Sequence, residues 1–238
     1  MNLFHKIVSY PRIWNLVQGV LGAPEFKSQL YRSMLTAPGK LLDFGCASGH
    51  LSGAFSEFDY YGVDLDEVAV ACAKKEFLDR PNMHFLAADL RDRPFSQGFF
   101  DEILFAGTAH HLDDRLFESL LGEFHYCLKP GGKIHLIDPV FQEKDGWRQR
   151  LMRRIDRGRH TRTLEEILAI VVSLRVFECG QPSFHRPYGA ILTDCDFLYL
   201  PLTKACRGEA RARTAGMASG TSRLGPARVA NSLSIPAS

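Results

Sequence analysis

The segment Leu41-Leu42-Asp43-Phe44-Gly45-Cys46-Ala47-Ser48-Gly49-His50 joins a short apolar run to an acid and then to a turn of small residues. Small residues let the backbone bend sharply, and they let a ligand lie against it without a Cβ in the way. Further acids follow at Asp64, after the run 60–63, and at Asp89, after another short apolar run. This order predicts a nucleoside pocket at the carboxyl edge of a parallel sheet.

The turn differs from the dinucleotide fingerprint G-x-G-x-x-G, which needs glycine at three positions. Ala47 stands at the middle position of that pattern, and His50 stands at the third. The carboxylate of Asp43 would repel a pyrophosphate, whereas it attracts a ligand that carries an ammonium and a sulfonium. These residues favour S-adenosylmethionine over NAD, and the alternative is a purely structural turn.

The two later acids each have a binding role and a plainer alternative. Asp64 lies close to the spacing at which an acid accepts hydrogen bonds from both ribose hydroxyls. The alternative is that it caps the following helix, although Asp66 is the expected N-cap. Asp89 suits an adenine amino group as well as it suits an ordinary loop, and alone it favours neither.

Five segments in this order resemble the class I, Rossmann-like family of S-adenosylmethionine-dependent methyltransferases, small-molecule type. The resemblance covers about residues 40–139 and rests on 41–49, 62–64, 88–89, 100–103 and 128–133. It implies that the first acid and the glycines hold the methionine part, that Asp64 holds the ribose, and that Asp89 holds the adenine. The implied cofactor-binding residues are Asp43, Gly45, Cys46, Ala47, Gly49, Asp64, Leu65, Asp89, Leu90 and Ala106. Ala47 departs from the family, in which many members have glycine there.

Strands and helices alternate along the chain, which predicts an α/β doubly wound fold with a mostly parallel sheet. We expect seven strands, helices on both faces and a closing antiparallel hairpin, the last implied by the resemblance. The predicted strands are 40–44, 60–63, 83–87, 99–105, 133–138, 174–178 and 196–200. The predicted helices are 49–57, 66–77, 113–128 and 163–172.

The 238 residues suit one domain with a substantial core and a tail. We expect a methyltransferase domain over 1–202, including an N-terminal helical cap at 1–38 that Pro11 interrupts. Residues 203–238 are rich in Ala, Gly, Ser, Thr, Pro and Arg and contain no aromatic residue. Such a segment cannot bury enough apolar surface to order itself, so we expect a disordered tail. A translated frameshift would look similar.

The composition is typical of a cytoplasmic enzyme, with 45% hydrophobic and 24% charged residues. No apolar stretch is long enough to span a bilayer, and residues 1–10 lack the features of a signal peptide. None of the six cysteines forms C-x-x-C. We therefore expect reduced thiols and no structural metal.

Positive charge is concentrated between Trp147 and Arg162, where seven arginines accompany one acid, Asp156. The segment Arg148–Arg162 suits an anionic substrate, a lipid headgroup surface or RNA. The alternative is a solvated linker helix whose arginine stems lie over apolar surface. Nucleic acid has less support, because Trp147 is the only aromatic residue in the run.

The chemistry is expected at residues 105–112, where the fourth predicted strand ends beside the cofactor. Methyl transfer is an in-line displacement, and much of its rate comes from positioning the nucleophile. A base is needed only if the nucleophile arrives protonated, and a histidine can act near neutral pH. His110 and His111 are the candidates. The alternative is that they cap or pack at the start of the helix near Asp113.

The sequence and the resemblance predict methyl transfer to oxygen, nitrogen or carbon of a small-molecule or lipid-like acceptor. An acceptor that is anionic or membrane-associated would agree with the basic segment. The alternatives are a protein or RNA methyltransferase that uses Arg148–Arg162, and an NAD-binding or inactive Rossmann protein. Neither the acceptor nor the oligomeric state is indicated by the sequence.

Overall fold

The computed structural model describes residues 23–36, 38–142, 159–186 and 196–205, and its centre is an eight-stranded sheet. The parallel strands are β1 (Lys40–Phe44), β2 (Asp59–Asp64), β3 (Met83–Ala87), β4 (Phe100–Ala106) and β5 (Leu128–Pro139). The antiparallel strands are β6 (Phe177–Cys179), β7 (Ser183–His185) and β8 (Phe197–Lys204). The order across the sheet is β3-β2-β1-β4-β5-β8-β6, and β7 also pairs with β8.

The predicted α/β class with a mostly parallel sheet and an antiparallel edge is confirmed. The sheet has eight strands rather than the seven expected. The single strand expected at 174–178 is replaced by β6 and β7, two three-residue strands that pair with successive parts of β8. The hairpin that the resemblance implied is therefore a three-strand antiparallel edge.

In the described part of the chain, four helices flank the sheet: α1 (Ala23–Met34), α2 (Glu67–Glu76), α3 (Asp114–Cys127) and α4 (Leu164–Leu174). Single 3₁₀ turns occupy Ser52–Phe55, Leu90–Asp92 and Ala109–His111. The helix predicted at 49–57 is wrong, because only the first of these turns forms there. Gly49 has a φ of +77°, outside the helical region, and Gly53 has low helix propensity. Residues 1–22 of the expected cap lie outside the described residues.

The helix starts follow the local sequence. The Asp66 carboxylate accepts hydrogen bonds from the N–H groups of residues 68 and 69, and Asp113 accepts one from residue 116. Thr163 and Glu166 form a capping box at the start of α4. Because helices α2 and α3 begin at the carboxyl edge of the sheet, these caps fix the loops that surround the site.

The core lies on both faces of the sheet. Helices α1 and α2 cover one face, with Leu30 and Val70 packed against buried Leu104. Helices α3 and α4 cover the other, where Phe124 meets Phe105 edge-on at 5.0 Å between ring centroids. Each large apolar side chain buried here contributes about 1.5–3 kcal/mol. This packing holds the carboxyl edge of the sheet rigid.

The last strand continues past the expected domain boundary at residue 202. Thr203 and Lys204 belong to β8, and Lys204 is buried. Its Nζ donates hydrogen bonds to the carbonyl oxygens of His125 and Leu128, both at 2.6 Å. The two residues assigned to the tail are therefore part of the sheet. Residues 206–238 lie outside the described residues.

Within the described ranges, no helix is long and apolar enough to cross a membrane. The same ranges contain no group of three or more His, Cys, Asp or Glu placed to hold a metal ion. The cysteines described as free thiols are Cys46, Cys72, Cys127 and Cys179.

Candidate active site

The turn after β1 has three residues in the left-handed region, with φ values of +84° at Gly45, +48° at Ala47 and +77° at Gly49. The Gly45 N–H donates to the carbonyl of Val63 at 2.8 Å, which ties the turn to β2. A Cβ at position 45 would lie 2.4 Å from Oγ1 of Thr108. The sharp bend therefore requires glycine at position 45, where strands β1, β2 and β4 all end.

Asp64, at the end of β2, fastens this turn. Its Oδ2 accepts a hydrogen bond from the N–H of Ala47 at 2.9 Å, and its Oδ1 accepts one from Asp66 at 2.9 Å. The first bond holds a non-glycine residue in the left-handed region. A carboxylate has about four acceptor positions, so these two bonds leave capacity for ribose hydroxyls.

Asp43 lies beside the turn and is buried. Its Oδ2 accepts a hydrogen bond of 2.6 Å from the Tyr60 hydroxyl, whose oxygen is 2.6 Å from Ser52 Oγ. Burial raises the pKa of Asp43 to about 6; the Tyr60 hydrogen bond opposes this rise, and the charge of Asp64 adds to it. A cationic ligand would relieve the cost of a charge at this position.

The acid after β3 is engaged locally. Asp89 caps the 3₁₀ turn 90–92 and accepts hydrogen bonds from Nε of Arg91 at 2.9 and 3.0 Å. These bonds to Arg91 lower the pKa of Asp89. The loop-carboxylate alternative thus describes the arrangement, and adenine binding by Asp89 stays a prediction.

The remaining predicted cofactor residues divide by exposure. Leu65 is 69% exposed beside Asp64, where a ligand can reach it, whereas Leu90 is 2% exposed and packs in the core. Cys46 is buried, with its Sγ close to Gly62, so only its backbone faces the turn. Ala106 ends β4, and its carbonyl accepts a hydrogen bond from Thr108 Oγ1 at 3.2 Å. Cofactor binding by Leu90 stays a prediction.

The two candidate histidines have different surroundings. His110 is buried, and its Nδ1 lies 2.9 Å from Oδ1 of buried Asp138 at the end of β5. His111 is exposed, with its ring centroid 4.1 Å from that of His110. The arrangement gives His110 an acid that can orient its ring, as a general base requires.

Sequence reasoning missed Asp138 and Tyr31. Tyr31 of α1 is buried, and its hydroxyl lies 4.0 Å from the Cβ position of Gly107, at the end of β4. Burial raises the pKa of Tyr31, with further contributions from the charges of Asp138 and Asp43. Asp138 follows the rule that singled out Asp64, an acid at the end of a parallel strand. Tyr31 has no comparable signal, because α1 reaches the site only by tertiary packing.

Arg162, at the end of the basic segment, differs from the prediction that Arg148–Arg162 forms an anion-binding surface. Arg162 is buried and donates hydrogen bonds to the carbonyls of Ala109 and Leu112 at 3.0 and 2.7 Å. It is therefore not available to an anionic partner. Arg159 is exposed, and residues 143–158 of the segment lie outside the described residues.

Comparisons with known proteins agree with this site. Residues 41–132 match a family model described as a methyltransferase domain. An uncharacterised methyltransferase of Synechocystis sp. is 26% identical over 135 residues, covering 54% of this chain and 63% of the relative. A demethylmenaquinone methyltransferase of Chlorobaculum tepidum is 32% identical over 107 residues, covering 42% of this chain and 41% of the relative. The chain thus spans less than two thirds of the length of these curated relatives.

A solved structure has the same fold. The 1,6-didemethyltoxoflavin-N1-methyltransferase of Burkholderia thailandensis, with bound 1,6-didemethyltoxoflavin and S-adenosylhomocysteine, superposes with a TM-score of 0.64 at 17% identity. The match covers 86% of this chain and 88% of that chain. Fold, acids at the strand ends and family match agree that residues 41–132 form a methyltransferase domain of the class I, Rossmann-like, S-adenosylmethionine-dependent type.

Proposed function

We propose that this chain transfers a methyl group from S-adenosylmethionine to a small-molecule acceptor. The observation that carries the proposal is the pair of carboxylates, Asp43 and Asp64, beside a turn with three left-handed residues. The charge of Asp64 raises the pKa of Asp43, so the two acids repel each other. A ligand with positive charge relieves that repulsion, whereas a pyrophosphate adds to it.

The residues at this edge fit the parts of the cofactor. Asp43 lies where it can attract the ammonium or the sulfonium, and Asp64 has acceptor capacity for the ribose hydroxyls. The exposed Leu65 offers an apolar surface for the adenine. The bound cofactor supplies a methyl group on a positively charged sulfur.

His110 is the candidate general base for an acceptor that arrives protonated. When Asp138 is ionised, it accepts a hydrogen bond from Nδ1–H of His110, and Nε2 is then the basic nitrogen of the neutral ring. A base held in this way takes the acceptor proton as the methyl group is transferred. His111, which is exposed, is the second candidate.

The relatives support a small-molecule acceptor. They include demethylmenaquinone methyltransferases and a phosphoethanolamine N-methyltransferase of Arabidopsis thaliana, 27% identical over 138 residues. The engagement of Arg162 by backbone carbonyls weakens the case for a protein or RNA acceptor held by the basic segment. A lipid-like or anionic small molecule stays within the proposal.

Calorimetric titration of the full chain with S-adenosylmethionine, S-adenosylhomocysteine and NAD tests the proposal. We expect the two adenosyl sulfur compounds to bind and NAD not to bind. Asp64→Ala should abolish binding, because it removes the ribose acceptor and the support of the Ala47 turn. The matched control is Asp66→Ala, which removes a neighbouring acid and a helix cap, typically about 1 kcal/mol of stability, but no ligand contact.

The result is read only on variants that retain a cooperative thermal transition. Tight NAD binding, or no adenosyl binding by the folded wild-type chain, would require the methyltransferase proposal to be withdrawn. Equal loss of binding in both variants would mean that Asp64 acts through the fold and not through the ligand.

A further inference from the structure

Arg162 is a buried cation whose hydrogen bonds all lie near the turn that carries His110. Its Nη1 lies 3.0 Å from the carbonyl oxygen of Ala109 and 3.2 Å from that of His160. Its Nη2 lies 2.7 Å from the carbonyl oxygen of Leu112. The guanidinium carbon stands 4.8 Å from the ring centroid of Phe117. The group is thus enclosed between the turn and helix α3.

The remaining donors of Arg162 reach Asp114. Nε and Nη2 lie 2.9 and 2.8 Å from Oδ1 of that carboxylate, whose side chain is 77% exposed. A guanidinium has five N–H groups, and five acceptor contacts are present. An ion pair with an exposed carboxylate is worth about 0–1 kcal/mol, so it does little to offset the cost of burying the cation. The backbone carbonyls compensate for most of the burial, which ties the position of the cation to the position of the turn.

Residues 160–162 also bond to the backbone of His110 and to the chain that follows β5. The N–H of His160 donates to the carbonyl of His110 at 2.9 Å, and the N–H of Phe141 donates to the carbonyl of Arg162 at 2.9 Å. Phe141 follows β5, the strand that carries Asp138. Arg162 therefore connects the turn of His110 to the strand of its acid partner.

We infer that Arg162 is a positioning residue, which holds His110 against Asp138 for the proposed methyl transfer. The inference rests on the proposed function, in which His110 is the candidate base. Carbonyls on both sides of the His110 turn accept from one rigid, planar group. A lysine carries the same charge but not this fork of donors, and it would let the turn move.

The pKa and the tautomer of His110 depend on where its ring lies relative to the charged groups around it. Among the described residues, the titratable and charged groups around it are Asp138 of β5, His111 of the same turn, Arg162 and His160 of the following segment, Asp114 of α3, and Tyr31 of α1, which lies near Asp138. If Arg162 positions the ring, loss of the fork will change the pKa and the tautomer of His110. If Arg162 only stabilises the fold, neither will change in a folded variant.

The experiment is nitrogen NMR of the full chain with ¹⁵N-labelled histidine, titrated with acid. The His110 signal is the one that is lost in His110→Gln. In the wild type we expect a neutral ring with its proton on Nδ1. Arg162→Lys should shift the midpoint of His110 by about half a pH unit or more and mix the two tautomers. The matched control, Arg159→Lys, makes the same change at an exposed arginine of the same segment and should leave the His110 signal as in the wild type.

A second measurement needs no variant of Arg162. In the wild type with ¹⁵N-labelled arginine, the Arg162 side-chain signals should shift with the midpoint of His110, and this shift should vanish in His110→Gln, because coupling between two groups is reciprocal. An unchanged His110 signal in folded Arg162→Lys, or Arg162 signals that ignore the titration, would overturn the inference. Binding of S-adenosylmethionine, measured on the same wild-type sample, separates this result from failure of the proposed function.

Discussion

The carboxyl edge of the sheet has two sides that are built in different ways. The cofactor side, which is the part proposed to bind S-adenosylmethionine, consists of residues 43–66 in one short stretch. There Asp64 bonds to the turn, and both the turn and Asp43 bond to β2. The acceptor side joins four distant parts of the chain, represented by Tyr31, His110, Asp138 and Arg162. The first side depends on local backbone geometry, whereas the second depends on how helices and strands pack.

The two sides also differ in charge. On the cofactor side, Asp43 accepts from a tyrosine hydroxyl and Asp64 from backbone N–H groups, so both keep negative charge directed at a ligand. On the acceptor side, Asp138 contacts a histidine and Arg162 contacts carbonyls. The first side is suited to attracting a cation, and the second to holding one ring in a fixed direction.

The largest expected effect tests whether local geometry controls the cofactor side. Gly45→Ala places a Cβ 2.4 Å from Thr108 Oγ1 at a φ of +84°, and we expect it to lower the free energy of unfolding by about 3 kcal/mol or more. Urea denaturation measures the change. The control is Gly98→Ala, at a φ of +66° with no heavy atom within 4 Å; it should cost about 1 kcal/mol. Equal losses would show that the close approach of Thr108, just after β4, to the turn does not affect stability.

A smaller effect measures how much stability long-range packing supplies to the sheet that carries the acceptor side. A chain that ends at Leu202 loses Thr203, Lys204 and the two hydrogen bonds that Lys204 makes to the carbonyls of residues 125 and 128. We expect it to be about 2–3 kcal/mol less stable than a chain that ends at Ala205. Strand β8 borders β5, and Thr203 pairs with Lys133 near the amino end of that strand, whereas Asp138 pairs with Leu198. The loss therefore falls at the end of the sheet that lies away from the site. Equal unfolding midpoints of the two chains would support the domain boundary predicted at residue 202.

The third effect depends on pH and sharpens the charge difference between the two sides. The pKa of Asp43 is about 6 in the folded chain, and the carboxyl is protonated below it. A cation prefers the ionised form, so the affinity for S-adenosylmethionine should fall by up to about tenfold for each pH unit below 6. Calorimetry in buffers of different ionisation enthalpy should detect proton release on binding. Asp43→Asn, which still accepts from Tyr60, should bind weakly with no such dependence.

The raised pKa of Asp43 has the opposite effect on stability, because it makes the folded chain less stable as the pH rises. Without ligand, the folded chain binds more protons at Asp43 than the unfolded chain, whose pKa is near 3.8. The contribution of Asp43 to the free energy of unfolding therefore falls as the pH rises from about 4 to about 6. Asp43→Asn should remove this loss and raise the unfolding temperature at pH 7. A lower unfolding temperature would mean that the ionised carboxylate stabilises the fold.

The sequence predicted the local geometry of residues 43–66 because its interactions span few residues. The cap at Asp66 formed as expected, and Asp43 and Asp64 lie beside the turn, while their roles in cofactor binding stay predictions. A cap or a left-handed turn needs only its own neighbours to satisfy hydrogen bonds and φ angles. The predicted role of Asp89 in adenine binding remains untested, since its carboxylate also bonds to Arg91 two residues away.

Packing decided what the local pattern left open. Leu90 and Arg162 look like surface or ligand residues in the sequence, and both are buried. The division of the last edge into β6 and β7 and the place of Tyr31 over the end of β4 both depend on distant segments. By itself, the sequence determined the methyltransferase domain at 41–132, the parallel sheet and the acids at its strand ends, because short-range hydrogen bonds and backbone angles encode them. Only the tertiary structure decided that His110 lies against Asp138 and that Arg162 is buried, because these contacts join residues that are close in space and far apart along the chain.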